Sequence, residues 1–262
     1  VKKIRVLVVD DSLFLRRNLP RILENDPEIE VVGTAADGIK GLQKVKELRP
    51  DVVTLDLTMP VMDGLTALEH IMREAPTPVV IVSAASREGA RDTLEALALG
   101  AVDFVTKPSG PVSLDIHTVR DELVEKVKAA YASRIKVVKG QDLTGFGKPV
   151  RSALREPGVV GGKRLVAIAA STGGPMALQH LLTRLPADFN AGLVIVLHIA
   201  VGFIQPLVDR LDDLSPITVR EAQDGAPITP GVALISPTGV HLTVAHSSAG
   251  SGHRTDVGLV AR

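Results

Sequence analysis

Five short apolar runs, each followed by a stretch with apolar residues at helical spacing, fill roughly the first 130 residues and constrain the fold more than any other feature. The runs are Ile4–Val9, Glu30–Ala35, Val52–Leu55, Pro78–Val82 and Val102–Val105. The helical patterns between them are marked by Leu15, Leu19 and Ile22, by Leu42, Val45 and Leu48, and by Leu65, Leu68 and Met72. Leu94 and Ala98 mark the fourth, which Gly100 is placed to stop, and Ile116, Val119, Leu123 and Val127 the fifth. Strands alternating with helices fold as a parallel sheet with helices packed on its faces, so the predicted class is α/β, with a complete doubly wound domain over residues 1–133.

The pattern lapses from Arg134 to Lys163, where six Gly, two Pro and seven basic residues stand against two acidic ones, and this stretch reads as a mildly cationic linker. A second α/β pattern occupies residues 164–262. It predicts strands at Leu165–Ala169, Leu193–Leu197, Val232–Ile235 and Val240–Val244 and helices at Pro175–Leu185 and Phe203–Leu211. About 100 residues is small for a doubly wound sheet, so this domain is expected to be partial. Ala191–Val208 carries no formal charge, but Gly192, His198, Gly202, Gln205 and Pro206 within it favour strand, turn and helix over a membrane span.

Composition narrows the function. Thirty basic residues balance thirty acidic ones and aromatics are 2%, which argues against a nucleic-acid surface or membrane insertion. The absence of Cys removes disulfides, thiol catalysis and Cys-ligated zinc, and fits the reducing cytoplasm.

In an open α/β sheet ligands bind beyond the carboxyl ends of the strands. Asp10 and Asp11 follow the first strand and Asp56 ends the third, so three carboxylates converge on one rim. Such a group resists ionising together unless a cation joins it, and all-oxygen ligands suit Mg²⁺. Ser83 and Lys107 end the fourth and fifth strands and add a hydroxyl donor and an ammonium. Attack by Asp56 on a phosphoryl group, with the charge neutralised by Mg²⁺ and Lys107, uses all of these parts. Any one of them alone is an ordinary polar turn residue.

Val8-Val9-Asp10-Asp11-Ser12, Leu55-Asp56-Leu57-Thr58-Met59-Pro60-Val61-Met62-Asp63-Gly64, Val82-Ser83-Ala84 and Ala101-Val102-Asp103-Phe104-Val105-Thr106-Lys107-Pro108 resemble response-regulator receiver domains. The resemblance implies a flavodoxin-like (βα)5 fold and phosphorylation of Asp56 by a chemotaxis histidine kinase. It implies Mg²⁺ held by Asp11, Asp56 and the Thr58 carbonyl, with Asp10 acting through water. Phe104 falls where the family places a switching aromatic, and reads equally well as a core ring.

In the second domain Ala169-Ala170-Ser171-Thr172-Gly173-Gly174-Pro175 joins a strand to a helix. Ser171 there is a nucleophile candidate in front of helix N–H groups, although a helix cap or an anion loop explains the same residues. His198 also follows an apolar strand and completes a minimal Ser–His pair, while His180, His241 and His246 are weaker candidates. With Ala222-Gln223-Asp224-Gly225, Pro230-Gly231-Val232 and Ser236-Pro237-Thr238-Gly239-Val240-His241-Leu242, nearly the whole chain resembles the CheB-type chemotaxis protein-glutamate methylesterases. That resemblance implies a Ser171–His198 esterase aided by Thr172 and needing no cofactor, acting on methylated chemoreceptors, with glutamine deamidation as a related activity. It also implies an unphosphorylated receiver that blocks the esterase and a phosphorylated one that releases it. The family's Met-Gly-x-Asp-Gly segment, which carries its triad Asp, has no counterpart, and Asp256 lies in a different context, so activity of this chain is expected to be weak or absent. The rival reading is a catalytically inactive, phosphorylation-dependent binding protein; a transcription regulator fits the neutral charge less well.

Overall fold

The computed structural model describes residues 2–83, 87–107, 116–133, 164–247 and 254–261. Ala84, Pro108, the linker reading over 134–163 and the glycine–serine run over 247–252 fall wholly or largely outside these described residues. The chain forms two compact units, Val1–Gly140 and Gln141–Arg262.

The first unit runs β1 Ile4–Val9, α1 Leu13–Glu24, β2 Ile29–Ala35, α2 Gly38–Leu48, β3 Val52–Asp56, α3 Gly64–Glu74, β4 Val79–Ser83, α4 Arg87–Ala98, β5 Asp103–Thr106 and α5 Ile116–Ala132. Its five strands are parallel in the order β2-β1-β3-β4-β5, the flavodoxin-like order, with the switch point between β1 and β3. Every residue of β3 and β4 is buried, as strands covered on both faces must be. Three helices start on an acid or hydroxyl cap, Ser12, Asp37 and Asp63, each accepting from the N–H three residues on. Gly100, at φ 109°, ends the turn after α4, with its N–H on Leu97 O and that of Ala101 on Ala96 O.

The loop from Asp56 to Gly64 is pinned at three points. A Cβ on Gly64 would stand 2.1 Å from Asp56 O, so only glycine lets α3 start directly behind that strand end. Gly38 presses against Met62, whose carbonyl accepts its N–H at 3.1 Å. Between them Met62 N–H bonds Pro60 O at 2.8 Å, closing a γ-turn on Val61 at φ 71°. That turn is strained for a β-branched residue, and Val61, 82% exposed, gains no packing in return. Val61→Gly is therefore expected to raise the unfolding free energy by about 1 kcal/mol, the relief of the left-handed cost outweighing glycine's added chain entropy, as read from urea midpoints.

The second unit runs β6 Leu165–Ala170, α6 Gly174–Leu182, β7 Gly192–Leu197, α7 Ile204–Leu214, β8 Thr218–Glu221, β9 Val232–Ile235, β10 Val240–Ser247 and β11 Arg254–Ala261. A parallel four-stranded sheet has the order β6-β7-β9-β8. Both helical crossovers step the same way across it, which for right-handed connections puts α6 and α7 on one face. An antiparallel β10–β11 hairpin packs through Leu242, Val257 and Leu259 onto a cluster containing Val194, Val232 and Leu234. Strands β8 and β11 and the hairpin are absent from the sequence expectation. Strand β6 lies at a sheet edge with Leu165 41% and Val166 38% exposed, and among the described residues no strand pairs with its outer side. Among the described residues no helix is long and apolar enough to cross a membrane, and the uncharged stretch tested above divides into β7, a turn and α7.

Candidate functional site

The receiver-like pocket follows from strand register. Val9 pairs with Leu55, so Asp10 and Asp56 are the next neighbours on β1 and β3. Both are buried, whereas Asp11, on the outer bend, is exposed. One ligand atom from each of Asp10, Asp11 and Asp56 lies within 4.8 Å of the others. Lys107 Nζ reaches in from the end of β5 to 3.1 Å from Asp10 Oδ2 and 2.7 Å from Asp56 Oδ2. Neither of those oxygens has a partner of hydrogen-bond geometry, so the contact with the ammonium is one of charge. The other oxygens are held, Asp10 Oδ1 by Ser12 N–H at 2.8 Å and Asp56 Oδ1 by Thr58 N–H at 3.2 Å.

Burial pushes both buried carboxyls above the usual aspartate range even with Lys107 beside them. Burial also works against charge on Lys107, but Asp56 and Asp10 outweigh it and hold the ammonium more firmly than usual. Two buried carboxylates with unsatisfied oxygens and one cation between them leave negative charge uncompensated. Hard oxygen donors so arranged fit a divalent cation such as Mg²⁺.

Ser83 Oγ, 2% exposed, donates to Gly89 O at 3.2 Å and so points toward α4 in this state. Phe104 is buried under Lys126, whose Nζ lies 5.1 Å from the ring centroid and donates to Phe104 O at 2.5 Å. Arg16, which the sequence reading did not single out, donates from Nη1 to Asp10 O at 2.8 Å and Asp11 O at 2.6 Å. Its signal was its place one helical turn beyond the cap Ser12, from where a long side chain reaches back over the bend.

The second unit repeats the logic of register. Ala170 pairs with Leu197, and His198 N–H continues the ladder to Ala170 O at 2.9 Å, so Ser171 and His198 leave adjacent strands side by side. Ser171 Oγ lies 3.5 Å from His198 Nδ1, and both residues are exposed at the rim. Thr172 follows, half-buried, and Gly173 takes φ 72° to cap α6. Gly174 lets that helix close on the strands, since a Cβ there would meet Leu197 Cδ1 at 2.5 Å. The positive end of the α6 dipole is thereby set behind the Ser171 loop. Positive φ outside glycine occurs, among the described residues, at Arg49 and Val61, so Ser171 bears none of the strain of a nucleophile elbow. Asp256 lies opposite Ala245 in the hairpin, and His241 and His246 are on the partner strand.

The five-stranded unit defines a receiver, followed by a second parallel α/β unit with a Ser–His rim. Residues 6–118 match the response regulator receiver domain family, and residues 166–261 match the CheB methylesterase family. The protein-glutamate methylesterase/protein-glutamine glutaminase of Symbiobacterium thermophilum is 51% identical over 256 residues, covering 93% of this chain and 69% of its own. That of Halalkalibacterium halodurans is 50% identical over 240 residues, covering 92% and 68%. The crystal structure of the response regulator domain of Thermotoga maritima CheB is 50% identical, covers 50% of this chain and 98% of that one, and superposes with a TM-score of 0.47. The chain belongs to the protein-glutamate methylesterase/protein-glutamine glutaminase family.

Proposed function

We propose that this protein is a phosphorylation-regulated protein-glutamate methylesterase and protein-glutamine deamidase, acting in the cytoplasm on chemoreceptors. The observation that carries the esterase half is the approach of Ser171 Oγ to His198 Nδ1 across two adjacent strand ends. Ser171 attacks the glutamyl ester carbonyl as His198 takes its proton. Collapse returns that proton to the leaving methoxide, giving methanol and an acyl-serine, which water hydrolyses to the free glutamate. With a glutamine side chain the same steps release ammonia. Thr172, next in the loop, borders the developing oxyanion.

In the receiver, Asp56 accepts the phosphoryl group from a histidine kinase, breaking the phosphorus–nitrogen bond of the donor phosphohistidine. Asp10, Asp11, Asp56 and the Thr58 carbonyl are the residues to hold Mg²⁺, which supplies charge neutralisation on the phosphoryl oxygens. Lys107 shares that task, Ser83 swings from Gly89 to the phosphoryl oxygen, and Phe104 responds to that movement. Among the described residues the one side-chain partner of the His198 ring is Ser171 Oγ.

Labelling with a serine-directed fluorophosphonate, with and without acetyl phosphate and Mg²⁺, tests the whole reading. Modification at Ser171 that rises on phosphorylation is the expected result. A blank under both conditions overturns the esterase half and favours a receiver that only docks.

A further inference from the structure

We infer that Arg16 is a positioning residue that sets the aim of the Asp10 and Asp11 carboxylates at the cation site; this rests on the receiver reading above. The bend between β1 and α1 must place two consecutive carboxylates toward one point while the chain reverses. Asp10 is fixed on one side by its N–H to Ala35 O at 3.1 Å, and its Oδ1 by Ser12 N–H at 2.8 Å. The regular bonding of α1 begins only at Ser12 O, which accepts Arg16 N–H at 2.9 Å, so the carbonyls of Asp10 and Asp11 precede the helix ladder. One atom serves both. Arg16 Nη1 carries two hydrogens, and these go to Asp10 O at 2.8 Å and Asp11 O at 2.6 Å.

Holding a carbonyl fixes its peptide plane, and with it the ψ angle and the direction in which the neighbouring side chain leaves the backbone. The effect is greatest for Asp11, which is exposed and has no wall of packed atoms to restrain it. Without the guanidinium, an incoming divalent cation must itself order the bend, and its affinity falls accordingly.

A competing effect has the opposite sign. Arg16 is a cation near a cation site, and charge alone makes it repel the incoming ion. It is only half-buried, however, and solvent screens such a repulsion. One NH2 group of its rigid, planar guanidinium bonds both carbonyls at short distance, and the ordering effect therefore prevails.

Isothermal titration of the full chain with Mg²⁺ alone decides the matter, with Asp56→Asn as the control that removes a ligand. Wild type is expected to bind and Asp56→Asn to lose most of its affinity. Arg16→Met is expected to raise the dissociation constant about tenfold, with metal-free circular dichroism unchanged. Arg16→Lys keeps the charge but gives up the planar NH2 whose two hydrogens have fixed directions, and should fall between the two. It carries the test if the Met variant does not fold. Wild-type affinity in either variant, or tighter binding in Arg16→Met, overturns the positioning role and leaves the pocket reading intact. Equal titrations for wild type and Asp56→Asn overturn both.

Discussion

Ser171→Ala is expected to lower kcat for methanol release from a methylated receptor by about 10²-fold or more. The argument is one of shared work. In the proposed mechanism Ser171 supplies the electron pair and His198 the proton relay, and neither has a task without the other. His198→Gln should fall as far, and the double variant no further, since residues that act as one unit lose their effect once. The 3.5 Å separation is at the long limit for a hydrogen bond, and such contacts tighten when substrate displaces water from the rim. The measurement is a coupled methanol assay on purified receptor with the chain phosphorylated. Undiminished release in Ser171→Ala would remove the serine from the mechanism, whatever the histidine does.

Asp56→Asn is expected to abolish phosphate uptake from acetyl phosphate and, in the same protein, to raise the metal-free melting temperature. The two outcomes have one cause. Burial holds the Asp56 and Asp10 carboxyls above the ordinary value of 3.8, Lys107 notwithstanding. A carboxyl raised on folding contributes stability that is full below its unfolded value and is lost as pH climbs through its folded one. At neutral pH the metal-free pocket is therefore a net cost, and the uncharged isostere removes part of it while leaving Lys107 with Asp10. A gain of about 1 kcal/mol, or a few degrees, is the scale for such a replacement. Mg²⁺ should raise the melting temperature of wild type and do little for the variant. Acidification should weaken Mg²⁺ binding while ordinary aspartates are still charged, because protons compete for raised carboxyls first. Scanning calorimetry with and without Mg²⁺ checks the sign; a variant that melts lower in metal-free buffer contradicts it.

Much of the fold was legible because its signals are local. The apolar runs at Ile4–Val9 and Val52–Leu55 carry their own strand pattern, and the acids that follow, Asp10 and Asp56, mark where each strand must stop. Adjacent strand ends then bring Asp10 to Asp56 and Ser171 to His198 through the ladder alone. What the sequence hid depends on tertiary context. The four-residue β8, Thr-Val-Arg-Glu, lies at a sheet edge and mixes charge with apolar residues, so neither period stands out. In β11 the alternation of Val257 and Leu259 with Asp256 and Gly258 is short and broken by the exposed Val260, and the strand is stabilised by pairing with β10 as much as by its own pattern. Valine has no preference for positive φ, so the turn at Val61 left no trace in the sequence. Arg16 is one of two adjacent arginines in the sequence, and only the geometry of the bend shows what it holds.

The edge position of β6 bears on how the protein fails when warmed. Ser171, the proposed nucleophile, hangs from a strand that among the described residues is hydrogen-bonded on one side and thinly covered, whereas Asp56, the proposed phosphate acceptor, ends a strand buried throughout. Heat should therefore fray the esterase rim first, silencing hydrolysis at temperatures where the chain still takes up phosphate. A sensor in that condition keeps hearing its kinase after it has lost the means to answer.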